Sequence, residues 1–308
     1  LVGLPAFGYE VAKETRPLLL LDISHEEWLA VNGLTKGAFM RPIHFARPAT
    51  VVLATVLLLT LTRPTEAQSE PAVAPAKILG ILGGMGPEAT ADLYHQIVRL
   101  SPAKKDQDHI PTLIFSFPQV PDRTTAIKNQ DRTIVPYLVE GVTRLEKAGA
   151  SLIVIPCNTA HYFYDDMQRA VRIPVLHMIR ETVQTVVERH PDCRRVGLLA
   201  TNGTISSGLY GKEFRARGID VLYPDESIQS ESVMKAVYGI KAGRDKQTAE
   251  DLLFAAGASL ERQGAQVIVL GCTEIPLAFN PQRASVPVVN ATQVLAEAAI
   301  REYERLKR

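Results

Sequence analysis

The chain of 308 residues has little to staple or chelate with: three cysteines, and no cysteine spacing that fits a zinc pattern. Three thiols cannot all pair within one chain, and a chain of this length has no need of disulfide staples, so at least one thiol is free. Charge of one sign is also missing. Lys plus Arg number 34 against 33 Asp plus Glu, and no basic stripe is interleaved with aromatics, which argues against a nucleic-acid surface and for a small-molecule partner. The glycine cluster "GGMGP" at 83–87 is neither a dinucleotide fingerprint nor a phosphate loop, because no Gly-Lys-Ser/Thr follows it. No metal constellation is visible. What is present is 46% hydrophobic and 22% charged residues, the balance of a soluble α/β protein with room for two ordinary domains.

Residues 1–75 differ from the rest. Met40 to Arg47 is a short basic lead, Val51 to Leu61 is an apolar run, and Thr65-Glu66-Ala67 ends on a small residue. That order reads as a secretory signal peptide at about 40–67, too short in its apolar part to span a membrane comfortably. The mature chain is then expected to be exported, with no stable membrane span. If Met40 begins the protein, residues 1–39 are upstream translated sequence. The competing reading is an apolar core helix of an extra N-terminal element, in which case the protein is cytoplasmic. "SEPAVAPA" at 69–76 is a linker under either reading.

From Lys77 onward strands alternate with helical patterns, which predicts βαβ units and parallel sheets. "KILGILGGMGP" opens with a strand and a turn, then a helix with Leu93, Ile97 and Leu100 on one face. "PTLIFSF" is a second strand, and a helix follows with Ile134, Leu138, Val142 and Leu145 inward. "SLIVIPC" and "IPVLHM" are a third and a fourth strand. The order then repeats. "RVGLLATNGT" matches the first strand and turn, "AQVIVLGCTEIP" matches "ASLIVIPCNTAH", and "VPVVNATQVLAEAAI" matches "IPVLHMIRETVQTVV". Three matches in register predict an internal duplication: two pseudo-symmetric α/β domains, each a parallel sheet flanked by helices, with a cleft between them. The boundaries expected are 76–180 plus 292–308 for the first domain and 181–291 for the second.

Cys157 and Cys272 correspond under this duplication, each at the C-terminal end of a buried strand, where open α/β sheets bind ligands. Facing domains would set the two thiols on opposite walls of one cleft. Asn158, Thr159 and Thr273 are expected to cap helical turns there, with free backbone N–H groups able to hold a carboxylate. One thiol acting as base and the other as acid, from opposite faces of a carbon, would invert its configuration. Cys193 has no counterpart in the other half and reads as a small buried hydrophobe. His161 reads as a surface or capping residue.

Five motifs in order, "ILGGMGPEAT", "FPQVPDRTTAI", "IPCNTAH", "VYGIKAG" and "VLGCTEIPL", resemble the aspartate/glutamate racemase family, and specifically its aspartate racemase branch. The resemblance runs from about Lys77 to the C-terminus. It implies a cofactor-independent amino-acid racemase, usually a homodimer, with Cys157 and Cys272 as the paired catalysts. It further implies that Asn158, Thr159 and Thr273 hydrogen-bond the α-carboxylate, that Met85 lines the floor, and that Arg123 and Lys241 hold a distal carboxylate. Asp122 and Glu274 would orient their neighbours. Within the same superfamily the alternatives are a racemase for glutamate or another amino acid, or a related isomerase or decarboxylase. Outside it, an exported solute-binding protein would need neither thiol.

Overall fold

The computed structural model describes residues 77–308; the expected extension over 1–75, with its signal and linker, lies outside the described residues. Strand β1 (Leu79–Gly83) is buried along its whole length. It leads through the glycine turn into α1 (Pro87–Leu100), which begins with proline, a residue whose missing N–H costs nothing in a first turn. Gly84 has φ of 87° and its backbone packs against Phe117, so a side chain there would meet both strain and backbone atoms. β2 (Thr112–Ser116), α2 (Arg123–Lys128) and α3 (Val135–Lys147) follow, then β3 (Leu152–Val154), α4 (Tyr164–Ala170) and α5 (Met178–Arg189). The second half runs β4 (Arg195–Leu199), α6 (Asn202–Ser206), α7 (Leu209–Arg215) and β5 (Asp220–Leu222). A helical stretch from Glu226, with a π-helical segment at Gln229–Met234, ends in α8 (Lys235–Lys241). It is followed by α9 (Lys246–Arg262), β6 (Val267–Leu270), β7 (Val288–Asn290) and α10 (Ala291–Lys307).

The strands form two all-parallel sheets, ordered β2-β1-β3 and β5-β4-β6-β7. β1 pairs with β3 from Leu79 opposite Leu152 to Ile81 opposite Val154, and β4 pairs with β6 from Val196 opposite Val267 to Leu199 opposite Leu270. Every residue of β1, β3 and β6 is buried, as sheets covered on both faces require. Alternation then sorts the core. Leu79 and Ile81 join Leu93 and Ile97 of α1 and Leu295, Ala299 and Tyr303 of α10, whereas Leu82 turns to Leu138, Val142 and Leu145 of α3. In the second sheet Val196 and Leu198 meet α5 and α7, and Leu199 meets the layer of α8 and α9. Each such side chain contributes about 1.5–3 kcal/mol when fully buried.

Two helices cross over. α5 follows β3 in sequence but sends Ile179, Val183 and Val186 into the core of the second sheet, while α10 follows β7 and covers the first. α5 and α10 also pack against each other. In the second repeat "VPVVN" becomes β7, but the corresponding strand expected at "IPVLHM" reduces to one bridge between Ile153 and Val175. Leu100, expected inward, is exposed as the last residue of α1, where the helix has left the sheet. No helix among the described residues is long and apolar enough to cross a membrane.

Candidate active site

The C-terminal ends of β1 and β3 in one sheet and of β4 and β6 in the other open onto one cavity. Met85, Asp122, Arg123, Cys157, Asn158, Thr159, Lys241, Cys272, Thr273 and Glu274 all line it, as do Thr124, Thr201, Val237 and Tyr238. Every residue the sequence offered as a catalytic, substrate-binding or orienting group is therefore brought to one place. Its free volume is about 20 Å³, roughly the room for one water. A larger cavity of about 310 Å³ adjoins it, sharing Asp122, Arg123, Lys241 and Glu274 as a common wall.

Both cysteines are buried free thiols, and so is Cys193, which packs among apolar side chains away from the cavity as expected. The turns after Cys157 and Cys272 differ from expectation. They are short 3₁₀ segments, Thr159–Phe163 and Ile275–Leu277, and neither has a side-chain cap. The predicted capping groups instead bond across the two halves. Asn158 Oδ1 accepts from the Tyr210 hydroxyl at 2.7 Å, and Thr273 donates to the Pro156 carbonyl at 3.3 Å. Thr159, Thr201 and Thr204 close a triangle of hydroxyls 2.9–3.1 Å apart. Gly203 permits that approach, since a β-carbon there would fall 2.7 Å from Thr124 Cα and 2.9 Å from Thr159.

Around Cys272 the electrostatics centre on a buried carboxylate. Glu274 Oε2 accepts from the Cys272 thiol at 3.1 Å, and Oε1 accepts from Gly86 N–H at 3.1 Å and from Lys241 Nζ at 2.5 Å. Burial and the adjacent Glu274 charge push the Cys272 thiol well above its usual range, with Lys241 opposing them. Burial works against the Lys241 ammonium, but Glu274 and the two thiols outweigh it and raise its pKa. The Met85 carbonyl accepts from both Lys241 (3.3 Å) and Arg123 Nη2 (3.2 Å). Arg123 Nη1 is engaged by the carbonyls of Val120 and Pro121, which leaves Nε buried and unpartnered. Asp122 caps α2 by accepting from Thr125 N–H at 2.8 Å, and so fixes where Arg123 begins that helix.

Behind Cys157 stands a histidine where the sequence suggested a surface or capping role. His161 is 1% exposed. Its Nδ1 lies 2.9 Å from the Cys157 carbonyl, and its Nε2 accepts from Met178 N–H at 3.1 Å, which ties the turn to the start of α5. This pattern assigns the neutral Nδ1–H tautomer, and burial lowers its pKa in agreement. His177, whose ring centroid is 5.1 Å from that of His161, is lowered to about 3 by burial, with His161 and Arg180 adding to the effect.

Thr201 and Tyr238 were not singled out in the sequence, although a signal existed. Thr201 is the first threonine of the strand-and-turn repeat "LLATNGT", and Tyr238 precedes Lys241 by one helical turn in "VYGIKAG". Among the described residues no group of three or more His, Cys, Asp or Glu side chains could hold a metal.

Two parallel sheets thus bring two buried thiols, the Asn158 amide, the hydroxyls of Thr159 and Thr273 and the cations Arg123 and Lys241 to one cavity, and the comparisons with known proteins define the class as an amino-acid racemase. The Asp/Glu/hydantoin racemase family profile matches residues 82–299, and the chain belongs to that family. It is 28% identical over 230 residues to the broad specificity amino-acid racemase RacX of Bacillus subtilis (strain 168), covering 73% of this chain and 98% of that one. Picrophilus torridus aspartate racemase superposes with a TM-score of 0.67 at 30% identity, covering 74% of this chain and 95% of that chain. Glutamate racemase of Latilactobacillus sakei subsp. sakei (strain 23K) is 29% identical over 163 residues, 49% of this chain and 57% of its own.

Proposed function

We propose that this racemase interconverts L- and D-aspartate without a cofactor, by a two-base reaction in which Cys157 and Cys272 act from opposite faces of the substrate's Cα. The observation that carries this reading is the convergence of both thiols, three α-carboxylate donors and two cations on one cavity. One cysteine, as thiolate, takes the Cα proton and becomes a thiol. The carbanion's charge spreads onto the α-carboxylate, where Asn158 donates from its side-chain amide and Thr159 and Thr273 from their backbone N–H groups. The other thiol then delivers its proton to the opposite face and is left as thiolate, the protonation state from which the reverse reaction starts. Cys272, held protonated beside Glu274, suits the role of the resting acid.

Arg123 and Lys241 select the distal carboxylate in this proposal. Arg123 keeps Nε for it, on the guanidinium edge away from the Val120 and Pro121 carbonyls, and Lys241 offers a mobile charge held in readiness by Glu274. Met85 forms the floor, and Asp122 and Glu274 orient the two cations. The domain boundaries 76–180 plus 292–308 and 181–291, assembly as a homodimer and export after cleavage near Gln68 belong to the same proposal. A second reading, a racemase of wider amino-acid scope, is favoured by the adjoining 310 Å³ cavity, which would accept a longer side chain past Arg123 and Lys241. Chiral chromatography of L-aspartate, L-glutamate and L-alanine incubated without cofactor decides between them. For an aspartate racemase, Arg123→Ala should cost about 2–4 kcal/mol in kcat/KM for aspartate and little for alanine. Intact aspartate turnover in that variant refutes the assignment of the distal carboxylate.

A further inference from the structure

Asn158 is 2% exposed, and only half of its amide is satisfied. Asn158 lines the cavity; its Oδ1 accepts from Tyr210, whereas Nδ2 is buried and has no hydrogen-bond partner. An unmade hydrogen bond on a buried group is unfavourable, and a side-chain amide can exchange its two ends by a half-turn that scarcely changes its shape. Something must hold the donor toward the cavity. The neighbour able to do so is the phenol of Tyr210, 1% exposed, stacked on Phe214 and lying against Gly271 in the second half of the molecule. Thr182, close by, sends its own hydrogen to the Met178 carbonyl at 2.8 Å. The phenol makes its short hydrogen bond to Asn158 Oδ1 at 2.7 Å and none to Thr182, and burial keeps its hydrogen on by raising the Tyr210 pKa.

We infer that Tyr210 is a positioning residue that locks the Asn158 amide with its nitrogen toward the cavity, so that this position offers a donor to the substrate's α-carboxylate and not a repelling carbonyl. The inference rests on the proposed carboxylate-binding role of Asn158. Tyr210 touches no substrate and acts through Asn158 alone. It also makes the donor set of the Cys157 turn depend on a helix of the opposite half.

Tyr210→Phe keeps the ring and removes the lock, and is expected to lower kcat/KM for the racemised amino acid about tenfold. In an Asn158→Ala background the same change should cost nothing further, because the group it orients is gone. A full additional loss in the double variant, or no loss in Tyr210→Phe alone, overturns the inference. Neutron diffraction from the deuterated wild-type protein reads the same point without turnover. The expected result is deuterium on the Tyr210 oxygen directed at Asn158 Oδ1, with the ND₂ group facing the cavity; an ND₂ group facing Tyr210 overturns the inference. If the wild type racemises no amino acid, the functional reading fails while the neutron result still decides the orientation.

Discussion

Cys157 and Cys272 stand just beyond corresponding buried strands, yet their surroundings diverge. Cys272 donates to a carboxylate two residues on, which is bound in turn to an ammonium and a backbone N–H. Cys157 has no hydrogen-bond partner for its sulfur among the described residues, and its turn is anchored from behind by a neutral histidine on its carbonyl. Two parallel sheets supply the two thiols, each just beyond a buried strand, β3 and β6. Burial and the Glu274 charge hold the proton on Cys272, and among the described residues no carboxylate stands in the same place beside Cys157. In the proposed two-base reaction, which begins with one thiol protonated and the other ionised, that difference assigns Cys272 as the protonated partner.

The largest test of this comparison removes each sulfur in turn. Cys157→Ser and Cys272→Ser should each lower racemisation at least ~1,000-fold, since a serine alkoxide is scarce near neutral pH. The two enantiomers have equal free energy, so kcat/KM must stay equal for both in every variant, and the asymmetry appears only in exchange. In D₂O each variant should wash the Cα proton from one enantiomer only, and the two variants should differ in which. Normal racemisation by either variant ends the two-thiol reading, whereas Cys193→Ser should be almost without effect.

Glu274→Gln makes the two sides more alike. Removing the negative charge should lower the Cys272 pKa, so that its thiolate absorbance in the ultraviolet appears at a lower pH, and racemisation should fall on the order of 100-fold. An unmoved titration would mean that Glu274 does not distinguish the two thiols.

The smallest effect belongs to the Cys157 side alone, where His161, Tyr164 and Arg180 surround His177. His177 is lowered from 6.5 to about 3, so the unfolded chain takes up the proton first as the pH falls. Its stabilising contribution is complete above pH 6.5 and is lost progressively toward pH 3, with a slope of about 1.4 kcal/mol per pH unit. His161 adds in the same direction. His177→Asn, which keeps a capping acceptor for α5, should flatten the decline of the urea midpoint between about pH 6 and pH 4 by that slope.

Much of this contrast was legible in the sequence, because local pattern determines it. Continuous apolar runs gave β1, β3 and β6, and the matching "PCNT" and "GCTE" placed both thiols at strand ends. Partner choice was not legible. The amide and hydroxyls after the cysteines looked like helix caps because they stand where caps stand, but a hydroxyl of the opposite half lies nearer to Asn158 and Thr159 than any orphan N–H of so short a turn. His161 was misplaced for a related reason. A polar residue in a first helical turn is usually solvated, and only the fold reveals that α5 docks onto it. The strand at "IPVLHM" shrank to one bridge because its apolar residues serve as well beside an edge as within a ladder.

The crossing of α5 and α10 ties completion of each sheet to a part of the chain made at a different time. The first sheet is synthesised early, yet one face stays without its cover until the final helix has emerged. The second sheet receives its covering helix before its own first strand exists. The second sheet therefore has its layers within one continuous stretch of chain, whereas the first must wait with Leu79, Ile81, Leu152 and Val154 short of part of their packing partners. Such a chain folds through distant pairings made late, and its two thiols come to share one cavity only after nearly all of it has been made.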